Sequence, residues 1–233
     1  MIKEWIRRKR NSLGFGIQSP NDFYFVQHVL REDSPYYAYT ELHKMQQQLP
    51  TDLPHLSEES YRLLFRLANH IYPHTIIEVG TGAGLSACAM TMAHPMGECI
   101  TIDGAIPARQ LAVRDRLLAD FPQITVRNGD EMALLQQVLS TKNHIGLLHI
   151  AHTIHYKEAT RLALPHITDN TLLVVQGIRD NEEKRIWWEA LQEERHTGVS
   201  YDLGETGLMF FDRSRHKDMY WVNLRSKQHT IYG

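Results

Sequence analysis

The sequence predicts an α/β fold with a doubly wound, mostly parallel sheet of seven strands and helices on both faces. Short apolar runs alternate with helical periodicities from residue 75 to residue 196, and strands joined by helical crossovers pair in parallel. The last two apolar runs, 199–203 and 207–212, are separated by three residues, which is too few for a crossover. These two runs must therefore pair as an antiparallel hairpin that ends the sheet.

The period of the apolar residues places the individual elements. The strand-like runs before the hairpin lie at 75–80, 99–103, 124–127, 145–150 and 171–176. The helical runs between and after them lie at 84–94, 107–120, 131–140, 156–165 and 181–196. An earlier helix begins at Ser57, a residue type favoured as N-cap, and is ended by Pro73. Asp180 and Glu183 have the spacing of a capping box for the last helix, and the tail from Tyr220 suits a short additional strand.

Residues 1–55 lack this alternation and suggest a helical N-terminal extension, or cap, before a ligand-binding domain over 56–233. The first ten residues, MIKEWIRRKR, combine five basic side chains with Ile2, Trp5 and Ile6 at helical spacing. Such a composition suits a membrane-surface or nucleic-acid arm. For so short a run we favour a solvated helix that docks its few apolar residues on the body of the protein.

Composition excludes several classes of protein. A chain of 233 residues with net charge −2 and pI near 6.7 has no global field that would recruit nucleic acid or an anionic membrane, so we expect neither partner. No run approaches the roughly 18 apolar residues of a membrane span, and no cleavable leader is evident, which favours a cytoplasmic location. Cys88 and Cys99 are too few for a disulfide framework, and we expect reduced core thiols.

A glycine turn follows the first predicted strand. Gly80, Gly82 and Gly84 alternate in the run EVGTGAG, and glycine allows positive φ and lets a ligand approach the backbone. In such sheets the first strand-to-helix turn faces the ligand, and the next helix directs its N-terminal N–H groups at it. Asp103 ends the second strand, 19 residues after Gly84, where a carboxylate can accept both hydroxyls of a ribose. The combination predicts a nucleoside site, with a simple packing turn as the alternative.

The turn does not have the spacing of a dinucleotide-binding fingerprint. That fingerprint, G-x-G-x-x-G, needs its last glycine at position 85, and Leu85 stands there. Glu78 precedes the glycines instead, and a carboxylate beside the turn suits a ligand bearing an ammonium group better than a pyrophosphate. An NAD-type enzyme therefore remains a minor alternative.

An acidic residue followed by G-x-G-x-G resembles the first motif of the class I S-adenosylmethionine-dependent methyltransferases. The closing hairpin and the run RNGD at 127–130 are similar to that family too, and RKRNSLGFGIQSP has a counterpart in bacterial relatives of its catechol-type O-methyltransferase branch. The resemblance implies a Rossmann-like fold, S-adenosylmethionine as cofactor, and Asp130 near the adenine amino group. The cofactor-binding residues that it implies are Glu78, Gly80, Thr81, Gly82, Gly84, Asp103, Gly104, Gly129 and Asp130.

The metal-binding acids of that branch are missing. The branch ends its fourth strand with an acid and its fifth with paired acids or Asp-Asn, which hold a divalent cation at the substrate hydroxyl. This chain has Ala151 and His152 after the fourth strand, and Gln176 and Gly177 at the fifth. Because Mg²⁺ prefers carboxylate oxygens, we predict no metal site.

Three histidines, His149, His152 and His155, lie near the end of the fourth strand. His152 and His155 could bind a softer ion, but a third ligand is not evident. Either side chain has the intrinsic pKa to take a proton from a hydroxyl group at neutral pH, and we choose His152 as the candidate base. Tyr156 matches the family's tyrosine after this strand and either contacts the substrate or packs the following helix.

Methyl transfer depends mainly on holding donor and acceptor close, so it does not require the lost metal. We therefore expect metal-independent O-methyl transfer to an unidentified small-molecule acceptor. The alternative is a noncatalytic protein that keeps the fold for binding or interaction. Trp187 and Trp188 share a charged helix, and if one packs on the sheet the other is free to face a partner subunit, which makes a homodimer plausible.

Overall fold

The computed structural model describes residues 2–50, 53, 55–151 and 153–224. Over these residues one mixed sheet has the strand order β3-β2-β1-β4-β5-β7-β6-β8. Its strands are β1 Thr75–Val79, β2 Glu98–Asp103, β3 Ile124–Asn128, β4 Leu147–Ile150, β5 Leu172–Gln176, β6 Ser200–Asp202, β7 Thr206–Phe210 and β8 Met219–Trp221.

The pairing confirms the predicted fold class. Strands β1 to β5 pair in parallel, whereas β7 runs antiparallel to both β5 and β6 as the closing hairpin. All seven predicted strands form, and the short strand expected in the tail is β8, which pairs in parallel with β6. The described sheet thus has eight strands and is mostly parallel.

Nine α-helices surround the sheet over the described residues. They are α1 Ile2–Ser12, α2 Pro20–Phe25, α3 Tyr37–Gln47, α4 Glu58–Ile71, α5 Leu85–Ala93, α6 Ala108–Leu118, α7 Glu131–Thr141, α8 Tyr156–Ala163 and α9 Glu182–Glu193. A π-helical turn, Val26–Leu30, follows α2, and a 3₁₀ turn, Leu164–His166, follows α8.

The caps agree with the prediction at one helix and differ at another. Ser57 caps α4, and its side chain accepts a hydrogen bond from Ser60 N at 3.2 Å. The capping box predicted at Asp180 is wrong, because Asn181 accepts from Lys184 N at 2.8 Å and caps α9. Asp180 is displaced from the cap and lies 3.8 Å from the Lys184 ammonium.

The sheet separates two apolar cores. One face is covered by α4 and α5 together with the N-terminal region, and the other by α7, α8 and α9. Trp188 is 1% exposed and packs where Gly207 of β7 has no side chain, so one tryptophan does pack on the sheet. Trp187 is half-buried, with its ring 4.8 Å from that of Tyr156.

The N-terminal region shares the first core with the sheet. Phe25 packs its ring 5.0 Å from Tyr201 of β6 and 5.2 Å from Phe210 of β7. The buried Asp22 accepts a hydrogen bond from the Tyr201 hydroxyl at 2.7 Å and pairs with Arg215. These contacts hold the region against the hairpin end of the sheet.

Helix α1 docks differently from the expectation. Arg8 donates to the Asp202 carboxylate at 2.9 Å, whereas Trp5 is 59% and Ile6 is 45% exposed. The expectation that α1 docks its apolar residues on the body is therefore wrong for these two side chains.

Cys88 and Cys99 are buried free thiols, as predicted, and burial raises the pKa of both. Within the described part of the chain, no helix combines the length and the apolar character that crossing a bilayer requires.

Candidate functional site

The glycine turn joins the carboxyl end of β1 to α5. Gly80, Gly82 and Gly84 have φ values of +96°, +53° and +85°, a region that only glycine adopts readily. A Cβ at Gly84 would lie 3.1 Å from Leu118 and 3.3 Å from Arg114, so a larger residue would also require these side chains to shift. A Cβ at Gly82 would meet no atom within 4 Å. The turn therefore opens to free space at Gly82.

Asp103 faces this turn from the carboxyl end of β2. Its two carboxylate oxygens accept from Gly82 N and Gly104 N, each at 3.0 Å, and the Arg114 guanidinium lies 3.9 Å away. Burial raises the pKa of Asp103 above its ordinary value, although the two N–H donors and Arg114 oppose the shift. Each carboxylate oxygen retains capacity for a further donor, as a ribose would need.

Arg114 borders the candidate site and was not singled out in the sequence. It lies on α6, is 1% exposed, and donates to Asn128 Oδ1 at 3.0 Å. Because it is also close to Asp103, it links the ends of β2 and β3 beneath the expected nucleoside position. The sequence offered one signal for Arg114, a basic residue on the helix between β2 and β3, whose last residues are both polar.

The loop after β3 contacts the end of β2. Gly129 donates from its N–H to Asp103 O at 3.0 Å, and Asp130 caps α7 by accepting from Met132 N and Ala133 N. The cap uses only one carboxylate oxygen of Asp130, Oδ1. Glu131, also missed in the sequence, accepts from Thr153 Oγ1 at 2.6 Å and so ties α7 to the loop after β4.

The side chain of Glu78 is wholly buried beneath the glycine turn. One of its oxygens accepts from Ser86 Oγ at 2.5 Å and pairs with His149 Nδ1 at 2.8 Å. The other oxygen accepts from Thr101 Oγ1 at 2.6 Å, and Thr101 is itself 2.6 Å from Thr81 Oγ1. Glu78 and His149 are both 0% exposed. The carboxylate therefore joins four elements and is not exposed beside the glycine turn.

At the ends of β4 and β5, the residues at the positions where metal-binding acids were expected to be missing are buried. Ala151 is 2% exposed, and Gln176 is 2% exposed with its Oε1 accepting from Thr206 Oγ1 at 2.8 Å. No described residue accepts from the Gln176 Nε2. Gly177 has φ +65° and packs against the Asp180 carboxylate.

The three histidines of this region have different surroundings. His149 lies within β4 and belongs to the buried Glu78 network, so it is not available at the strand end. His155 is exposed at the start of α8, where its carbonyl accepts from Ala159 N at 2.8 Å. His152, the candidate base, lies outside the described residues. Among the described side chains, no group of three or more His, Cys, Asp or Glu could hold a metal ion.

Tyr156 is 8% exposed and packs edge-on against Trp187. Burial raises the pKa of Tyr156, so its hydroxyl stays protonated near neutral pH and can donate a hydrogen bond but not take a proton. Lys184, a further residue that the sequence did not reveal, places its ammonium 5.0 Å from the Tyr156 ring. Burial lowers the pKa of Lys184.

Comparison with known proteins establishes the fold. No protein-family profile matches the chain, and neither does any curated protein sequence. Solved methyltransferases do share its Rossmann-like fold. TomG of Streptomyces achromogenes, an O-methyltransferase of tomaymycin synthesis crystallised with S-adenosylmethionine, is 20% identical with a TM-score of 0.57, and the match covers 81% of this chain and 94% of TomG.

Two other solved structures are similar to the same extent. The O-methyltransferase of Bacillus cereus, in complex with S-adenosylhomocysteine, is 18% identical with a TM-score of 0.58, over 80% of this chain and 94% of that one. The methyltransferase PaMTH1 of Podospora anserina, also bound to S-adenosylhomocysteine, is 14% identical with a TM-score of 0.59, over 88% and 97% of the two chains.

The Glu78 network generates a stability prediction. Thr101→Val keeps the shape of the side chain but leaves one buried carboxylate oxygen without its donor, which should cost roughly 1–3 kcal/mol of unfolding free energy. Thr125→Val, at an exposed site on the adjacent strand β3, should change stability by less than about 0.5 kcal/mol. Urea denaturation of both variants measures the difference. Equal midpoints for the two variants would show that the network contributes nothing to folding.

Proposed function

We propose that this protein is an S-adenosylmethionine-dependent methyltransferase that transfers the methyl group to a hydroxyl of a small molecule without a divalent metal. One observation carries the proposal. The glycine turn leaves open space at Gly82 while the Asp103 carboxylate, with acceptor capacity to spare, stands beside it. The cofactor-bound methyltransferases of the same fold support the choice of nucleoside.

The residues that are present fit this cofactor. The Gly80–Gly84 turn admits a ligand against its backbone, and the first turn of α5 supplies N–H donors without intrahelical partners. Asp103 would accept the ribose hydroxyls, and Gly104, Gly129 and Asp130 would border the adenine. When bound, the cofactor supplies a methyl group on a positively charged sulfur. The chain then has to hold that group close to an acceptor and exclude water.

Glu78 and Thr81 have a supporting role in this proposal. Because Glu78 is fully buried and its oxygens are already engaged, we assign it to positioning the turn rather than to direct contact with the cofactor ammonium. Thr81 acts through Thr101 in the same way.

The acceptor half favours transfer without a metal. Ala151 supplies no ligand, and Gln176 supplies only a carboxamide, whose oxygen is already bonded to Thr206. A hard cation would find no carboxylate at these positions. We retain His152 as the candidate base for the acceptor hydroxyl, and we assign Tyr156 to the wall of the acceptor site as a neutral hydrogen-bond donor.

The second candidate is a noncatalytic protein that binds the cofactor. The observation that favours it is the same closed acceptor half, in which Ala151 and Gln176 are both 2% exposed. A homodimer and a cytoplasmic location accompany either candidate as proposals.

The cofactor site is tested by two matched glycine substitutions. Gly82→Ala should cost about 1 kcal/mol of stability, because φ is +53°, and should abolish binding of S-adenosylhomocysteine, because the methyl group enters the open space. Gly204, between β6 and β7, has φ +96° and equally free space around it. The control variant Gly204→Ala should therefore have a similar backbone cost but bind S-adenosylhomocysteine with unchanged affinity. Isothermal titration calorimetry measures the Kd of both variants for S-adenosylhomocysteine. An unchanged Kd for Gly82→Ala would remove the turn from the site.

The proposed role of Asp103 predicts that the affinity for the cofactor depends on pH. Ribose hydroxyls donate to the ionised carboxylate, so affinity for S-adenosylhomocysteine should fall as pH drops through the pKa of Asp103, which burial raises above its ordinary value. Above that pKa the affinity should be constant. Asp103→Asn should bind roughly 10- to 100-fold more weakly and lose the dependence, whereas Asp120→Asn, exposed on the surface, should behave as wild type. A wild-type profile in Asp103→Asn would contradict the assignment.

Metal independence is tested with labelled S-adenosylmethionine and a panel of phenols and aliphatic alcohols. EDTA should leave the rate of methyl transfer unchanged, and His152→Ala should lower it by roughly 100-fold through kcat. Activity that EDTA abolishes and Mg²⁺ restores would refute the metal-free mechanism. Tight cofactor binding without transfer to any acceptor would favour the noncatalytic candidate.

A further inference from the structure

Large apolar side chains are exposed on one contiguous stretch at the N-terminal end of the described chain. We define the α1 surface as Trp5, Ile6, Lys9, Arg10, Leu13 and Phe15. Its four apolar members are 59%, 45%, 52% and 62% exposed, in chain order. Exposed apolar groups in such proximity mark an interaction site rather than ordinary surface.

The way α1 docks explains why these groups face outward. An amphipathic helix on a globular protein normally buries its apolar side. Here the Arg8 guanidinium binds Asp202, and the Arg7 guanidinium lies 3.8 Å from the centre of the Trp221 ring. Asn11 accepts from Trp221 N at 3.2 Å. The polar side of α1 therefore contacts the body of the protein, and the apolar side chains Trp5 and Ile6 are exposed.

Positive charge accompanies the apolar groups. Lys9 and Arg10 are exposed, and the Lys9 ammonium lies 5.3 Å from the Trp5 ring. Ile6, Arg10 and Phe15 line one cavity of about 440 Å³ between α1 and β8, which the acid Asp218 also borders. Basic groups beside aromatic and aliphatic ones on a short helix are the combination that binds an anionic bilayer surface.

We propose that the α1 surface binds the surface of an anionic phospholipid bilayer, reversibly and without insertion of a spanning segment. Trp5, Ile6, Leu13 and Phe15 enter the interface, and Lys9 and Arg10 bind lipid phosphates. The net charge of −2 does not prevent this, because at physiological salt charges act over about 8 Å and the local surface is cationic. Nucleic acid matches this surface less well, because binding to a phosphate backbone is electrostatic and would leave the exposed apolar groups without contacts. The proposal is independent of the methyltransferase activity.

Vesicle sedimentation with the full chain tests the proposal. Wild type should bind to vesicles of phosphatidylcholine that contain roughly one third phosphatidylserine. It should bind much more weakly to vesicles of pure phosphatidylcholine. Replacing the two basic residues by Lys9→Ser and Arg10→Ser should weaken binding about 30-fold, at roughly fivefold for each charge, and high salt should act in the same direction. Replacing Trp5→Ser and Ile6→Ser should weaken it roughly tenfold or more.

Matched controls use residues with the same chemistry elsewhere on the surface. Met96→Ser with Ile186→Ser removes two apolar groups that are 86% and 52% exposed, and Arg116→Ser with Arg127→Ser removes two exposed charges. Both control pairs should bind as wild type.

Circular dichroism and urea midpoints equal to wild type show that each variant is folded. Failure of wild type to prefer anionic vesicles would overturn the proposal. So would equal losses in the control pairs, or a concentration-dependent dimer that Trp5→Ser with Ile6→Ser abolishes while vesicle binding is unchanged.

Discussion

A buried carboxylate is the constraint on which the site depends. Glu78 has no contact with water, and an unpaired charge in that position would be far too costly to keep. It is satisfied only if Ser86 of α5, Thr101 of β2 and His149 of β4 reach it together. This requirement fixes three elements around the end of β1, and the glycine turn begins two residues later. The shape of the turn is therefore determined by the hydrogen bonds of the buried Glu78 network as well as by its own glycines.

Much of the fold could be predicted because it is recorded in local periodicity. Apolar runs marked β1 to β5 to within two residues, and a three-residue gap was enough to fix the hairpin as antiparallel. The cap of α9 could not be predicted, since Asp180 and Asn181 are both good capping residues. The choice between them depends on the turn at Gly177, against which Asp180 packs.

The sequence pointed to residues of the candidate site only where their pattern is local. The glycines and Asp103 stand out along the chain, whereas the partners of Glu78 become visible only in the register of the sheet, which aligns it with Thr101 and His149. For the same reason the sequence suggested that Glu78 faces a ligand. The side of α1 that faces the protein could not be predicted either, because its apolar and basic residues both recur at helical spacing. A partner 194 residues away, Asp202, decides which side docks.

The contacts between α1 and the far end of the chain have a practical consequence. β8 is three residues long and covers the otherwise free edge of β6, and it is held there by Asn11 and Arg7 of α1 and by Ser12, which accepts from Asn223 N at 2.7 Å. Deletions that remove α1 or β8 therefore disturb one shared structural unit. Trimming α1 would leave a bare strand edge open to pairing with another chain, so N-terminal shortening should be judged first by solubility.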